Sequence, residues 1–89
     1  MRYAPRVPFR QRDGWQGEPA DLGDLFRLRK LTCNRQLEAV CLLRTHQFGW
    51  ECRLLVGDDL LRSEVCKSEQ AVVTCSDEWK TAMVEKGWR

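Results

Sequence analysis

The sequence predicts an α+β domain: a three-stranded antiparallel meander packed on one C-terminal helix, preceded by a flexible N-terminal extension. Three observations predict it. Apolar and polar residues alternate with period two in three successive runs from Leu37 onward. A later segment switches to helical spacing, with Val72, Cys75, Trp79, Ala82 and Met83 on one stripe. The first twenty residues hold all three prolines, Pro5, Pro8 and Pro19, and show no sustained period. At 89 residues, 43% hydrophobic and 31% charged, the chain fits one domain and is too apolar to be disordered throughout.

Residues 1–35 read as a basic, mostly irregular extension, and residues 36–89 as a single β-β-β-α domain. Within the extension, Asp21–Leu31 has acidic residues at its start and Arg27, Arg29 and Lys30 near its end, matching a helix dipole. A short helix over 21–31 is the candidate. Leu22, Leu25 and Phe26 share a helical face, but Leu28 and Leu31 fall off it and Gly23 weakens it.

In the first strand Leu37, Ala39, Cys41, Leu43 and Thr45 point to one face, and in the second Trp50, Cys52, Leu54 and Val56 do the same. A turn over Gln47-Phe48 sets Thr45 against Trp50, Leu43 against Cys52 and Cys41 against Leu54 inside, and Arg44 against Glu51 outside. In the third strand Leu61, Ser63 and Val65 are assigned to the inner face, Arg62, Glu64 and Cys66 to the outer. A two-residue loop before it sets Arg53 against Arg62 and Glu51 against Glu64, and like charges directly opposite are unfavourable. A four-residue loop over Gly57–Leu60 sets Arg53 against Glu64 and is preferred.

Ser68 reads as the N-cap of a helix running to about Lys86, with Gly87 as its stop. Its stripe covers the inner sheet face, where Trp50 and Trp79 meet as core partners, and Trp88 is placed to fold back over the helix end.

The net charge is +2, with eight basic against four acidic residues in 1–35 and seven against nine in 36–89. Any attraction for polyanions therefore belongs to the N-terminal third. No stretch approaches the roughly 18 apolar residues of a membrane span. The five cysteines are an odd number with no apolar leader before them, so free thiols in a reducing cytoplasm are expected.

No enzymatic activity, metal or cofactor is assigned. The cysteine spacings leave seven, ten, thirteen and eight intervening residues, without a C-x₂-C knuckle. Cys41, Cys52 and Cys75 are expected to face the core together, where three soft ligands can converge, although plain packing accounts for them. His46 is the only histidine and has no thiol beside it on its face, and the six glycines form no phosphate loop.

Partner binding rests on Val40, Leu42, Leu55 and Leu60, which leave the outer sheet face more apolar than one facing water. The cover is the Leu22/Leu25/Phe26 segment, a second copy of the chain, or another protein. The alternative function is nucleic-acid binding through the tail arginines Arg6, Arg10 and Arg12 and the sheet arginines Arg44, Arg53 and Arg62. Glu38, Glu51 and Glu64 share the face assigned to those sheet arginines and oppose that reading.

The G-W-E-x-R-L of Gly49–Leu54, the strand Arg62-Ser63-Glu64-Val65-Cys66 and the W-K-x-x-M-x-x-K-G-W of Trp79–Trp88 resemble short bacterial proteins of a β-β-β-α type. The resemblance covers Ala39–Trp88. It implies a fold and no activity, cofactor or catalytic residue.

Overall fold

Residues 21–32, whose charge distribution suits a helix, form a strand instead. The computed structural model describes residues 19–89, and its element order is β1 (Asp21–Thr32), β2 (Arg35–His46), β3 (Gly49–Val56), β4 (Asp59–Cys66) and α1 (Glu69–Glu85). The four strands form one antiparallel sheet in chain order, so the meander has four strands rather than three. The helix packs on one face of it, which keeps the α+β architecture. No helix among the described residues is long and apolar enough to cross a membrane.

The reason for β1 lies in the two leucines that drift off the helical face. From Phe26 onward the segment alternates, with Phe26 and Leu28 buried and Arg27 and Arg29 exposed. Phe26 stands opposite Cys41 and Leu28 opposite Ala39, so both join the inner face. A register shift between Asp24 and Phe26 inserts Leu25, which is also buried in the core. The turn to β2 uses Cys33 and Asn34 at φ 49° and 62°. Two consecutive positive φ values characterise the type I′ hairpin, and Asn34 is the residue that tolerates them.

The β2–β3 pairing has the expected register: Thr45 opposite Trp50, Leu43 opposite Cys52, Cys41 opposite Leu54 and Arg44 opposite Glu51. Ala39, Cys41, Leu43 and Cys52 are fully buried on the helix side. The β3–β4 hairpin departs from both registers considered. Its loop is Gly57-Asp58, since Val56 pairs with Asp59 and Leu55 with Leu60, and a bulge then shifts the ladder so that Leu54 faces Arg62. Arg53 thereby meets Ser63 and Glu51 meets Val65, which avoids both like-charge pairs without lengthening the loop.

The bulge also inverts the faces assigned to β4, because an odd shift turns every side chain over. Arg62, Glu64 and Cys66 lie on the helix side, opposite Leu54, Cys52 and Trp50. Leu61, Ser63 and Val65 belong to the outer face, and Leu61 and Val65 are 56% and 43% exposed.

Ser68 caps α1 as expected, its hydroxyl accepting from the Ala71 N–H at 3.1 Å. Val72, Cys75, Trp79 and Met83 are buried against the sheet, and the buried Ser76 hydroxyl donates to the Val73 carbonyl. At the far end the Trp88 N–H reaches the Met83 carbonyl and the Gly87 N–H the Val84 carbonyl, the paired bonds of a Schellman cap. The cap turns Trp88 into the core, and Arg89 then exchanges two backbone hydrogen bonds with Arg29 on the outer edge of β1. Lys30 Nζ donates to the Lys86 carbonyl and ties the same edge to the helix end.

Candidate functional site

Two constellations carry chemistry, one on each face of the sheet. On the outer face the predicted residues Val40, Leu42, Leu55 and Leu60 come together: Val40 is opposite Leu55, Leu55 is opposite Leu60, and Leu42 is two residues along β2 from Val40. The first three are half-buried by their neighbours, whereas Leu60, Leu61 and Val65 are exposed. β4 therefore carries three exposed large apolar side chains, the largest such group on the sheet among the described residues, although Leu31 of β1 is the most exposed single one.

The Leu22/Leu25/Phe26 segment does not cover this face. It is part of β1 itself, with Leu25 and Phe26 in the core and Leu22 packed against it. Among the described residues, no element lies over the outer face. The two sheet edges also differ. The β1 edge is engaged at Arg29 by Arg89, while β4 has no strand beyond it among the described residues.

The arginines are less concerted than the sequence suggests. Arg44 Nε lies 2.8 Å from Asp21 Oδ1. Arg62 is on the other side of the sheet, its guanidinium 5.1 Å from the centre of the Trp79 ring, a cation–π contact that the inverted β4 creates. Arg53 stays on the outer face between Leu42 and Ser63, its Nε buried without a hydrogen-bond partner among the described residues. Arg27, which the sequence reading did not select, bridges Asp24 and Glu38 there at 2.7 and 2.5 Å. Both acids hold its guanidinium more firmly protonated, the hydrogen bond to Asp24 most of all. Arg6, Arg10 and Arg12 lie outside the described residues.

On the inner face three thiols converge. Cys52 of β3, Cys66 at the end of β4 and Cys75 of α1 are buried, with all three Sγ atoms within 4.8 Å of one another. The Cys52 and Cys66 sulfurs are 4.0 Å apart. The expected trio differs by one member: Cys66 takes the place of Cys41 because the β4 bulge brings it inside. Cys41 is buried nearby, and Cys33 in the β1–β2 turn is exposed.

Burial governs the thiol chemistry. Desolvation pushes Cys41 up to about 12, raises Cys52 and Cys75 well above the usual thiol range, and raises Cys66 as well. At Cys75 a hydrogen bond with Glu64 adds to the rise. Neutral thiols of this kind are poor nucleophiles. His46 sits at the β2–β3 turn, where its Nδ1 accepts from the Phe48 N–H.

No family model matches the chain, and neither a curated protein nor a solved structure matches it.

Proposed function

We propose that the protein is a non-enzymatic binding domain that acts as a homodimer, joined along the outer margin of its sheet at β4. The observation that carries this reading is the self-complementarity of the β4 edge, which has no strand beyond it among the described residues. A two-fold antiparallel pairing centred on Ser63 places Arg62 opposite Glu64 of the second copy, and Leu61 opposite Val65. The first pair is attractive in charge and lies on the helix side; the second is apolar and lies on the outer face. Each pair occurs twice by symmetry, as an isologous interface requires.

An exposed strand with unpaired N–H and C=O groups is a template for another strand unless a charge or proline blocks it. β4 contains no proline, and its outward side chains Leu61, Ser63 and Val65 carry no charge. Pairing two copies joins their sheets into eight strands and brings Val40, Leu42 and Leu55 of both onto one continuous face, the surface on which a further protein would dock.

Sedimentation equilibrium at micromolar concentration tests this. The wild type is expected to dimerise, and Leu61→Glu to shift the population to monomer with unchanged circular dichroism. A wild type that is monomeric throughout overturns the reading. The nucleic-acid alternative is opposed by the pairing of Arg44 with Asp21 and of Arg62 with Trp79. It would show as a gel shift that fades steeply with salt, since phosphate contacts release counterions.

A further inference from the structure

We propose that Cys52, Cys66 and Cys75 form a binding site for a thiophilic d¹⁰ metal ion. The argument begins with spacing. Sulfurs bound to one ion at about 2.3 Å are separated by about 3.8 Å in a tetrahedral site and about 4.0 Å in a trigonal one. Cys52 and Cys66 already stand 4.0 Å apart, and the third sulfur is within 4.8 Å of both. Closing the triangle takes adjustments of about 1 Å, within reach of small χ1 rotations.

The placement is built by the fold from three different elements. Cys52 and Cys66 are diagonal neighbours on the helix side of β3 and β4, since Cys52 faces Glu64 and Cys66 faces Trp50. Cys75 comes down from α1, one turn before the buried Trp79. Packing alone explains a small apolar side chain at each position. It gives no reason for the three sulfurs, drawn from three elements, to point at one another.

The donor set decides the class of ion. All three ligands are soft sulfur, and no histidine or carboxylate completes the same cluster among the described residues. Three sulfurs away from water suit Cu(I), which accepts trigonal coordination. Zn(II) favours four ligands and would need to recruit one, for which Glu64, opposite Cys52 on the helix side of the ladder, is the nearest-placed carboxylate in register. Binding is an exchange without redox change: each S–metal bond formed releases the thiol proton to solvent. Because each thiol must lose its proton to bind, affinity should climb with pH, up to about tenfold per pH unit for each proton displaced.

The test uses the full chain, reduced and metal-free, under anaerobic conditions. Cu(I) is presented as its coloured bicinchoninate complex, and in a parallel arm Zn(II) is presented with a pyridylazo dye. Removal of one equivalent from either chelator is expected, with Cu(I) the ion retained more tightly. Cys33→Ser should behave as wild type, and Cys75→Ser should leave the metal on the chelator. Should that variant fail to fold, X-ray absorption of the loaded wild type decides, with three sulfurs at about 2.2–2.3 Å expected around the ion. Failure to take either ion, a metal shell of nitrogen and oxygen alone, or loss on Cys33→Ser with retention on Cys75→Ser would overturn the assignment.

Discussion

Gly49, the first residue of β3, lies against the backbone of Cys66, the last residue of β4: a Cβ at Gly49 would stand 2.1 Å from the Cys66 carbonyl oxygen. Gly49 also has φ +147°, a conformation that L side chains rarely adopt. The β2–β3 turn can therefore close against the end of β4 only with glycine there. Gly49→Ala is expected to cost about 2–5 kcal/mol, combining backbone strain with overpacking. Gly57→Ala, at φ +59° with open space around it, should cost about 1–2 kcal/mol. Thermal unfolding of the two variants checks the ranking, and equal midpoints would contradict it.

The buried thiols make stability fall at alkaline pH. Their folded-state pKa values are raised, Cys41 to about 12, so the folded chain keeps protons that the unfolded chain gives up. Their contribution is complete below the unfolded thiol value of about 8.5 and is lost as pH rises beyond it. With three of them, Cys41, Cys52 and Cys75, strongly raised, their combined slope approaches about 4 kcal/mol per pH unit between pH 9 and 11. Cys41→Ser should remove about a third of it. Urea unfolding across pH 7–11 measures the slope, and a flat profile would contradict the burial of these thiols.

Trp88 closes the core from the chain's end. It is 8% exposed and held by the cap that links its N–H to Met83. Trp88→Ala should cost about 3–5 kcal/mol, as large-to-small changes of buried aromatics do. In a domain this small that lowers the unfolding midpoint by more than about 12 °C. Calorimetry reads it directly, and a shift of only a few degrees would mean that the indole does not fill the core.

The β2–β3 register was legible because both strands alternate cleanly and only one turn length puts their apolar sets on the same side. The helix was legible from Ser68, Gly87 and the stripe between them. β1 was hidden because Leu22, Leu25 and Phe26 also fit a helical face, and the bulge that buries Leu25 beside Phe26 interrupts the alternation of a strand. The signal available was the alternation of Phe26 and Leu28 with Arg27 and Arg29, followed by Asn34 at a type I′ turn. In β4 the avoidance of like charges was the right constraint. The chain meets it with one extra residue rather than a longer loop, and nothing in Leu60-Leu61 announces a bulge. That single residue decides the candidate sites: it brings Cys66 to the thiol cluster, moves Arg62 onto Trp79 and leaves Leu61 and Val65 outside.

The β4 pairing is tested most directly by a charge exchange read in sedimentation equilibrium. Arg62→Glu and Glu64→Arg each set like charges opposite one another across the two-fold axis, so either variant alone should be largely monomeric. Mixed in equal amounts, the two restore both opposite-charge pairs and should form a one-to-one heterodimer. Variants that dimerise alone as the wild type does, or a mixture that stays monomeric while wild type dimerises, would contradict pairing centred on Ser63.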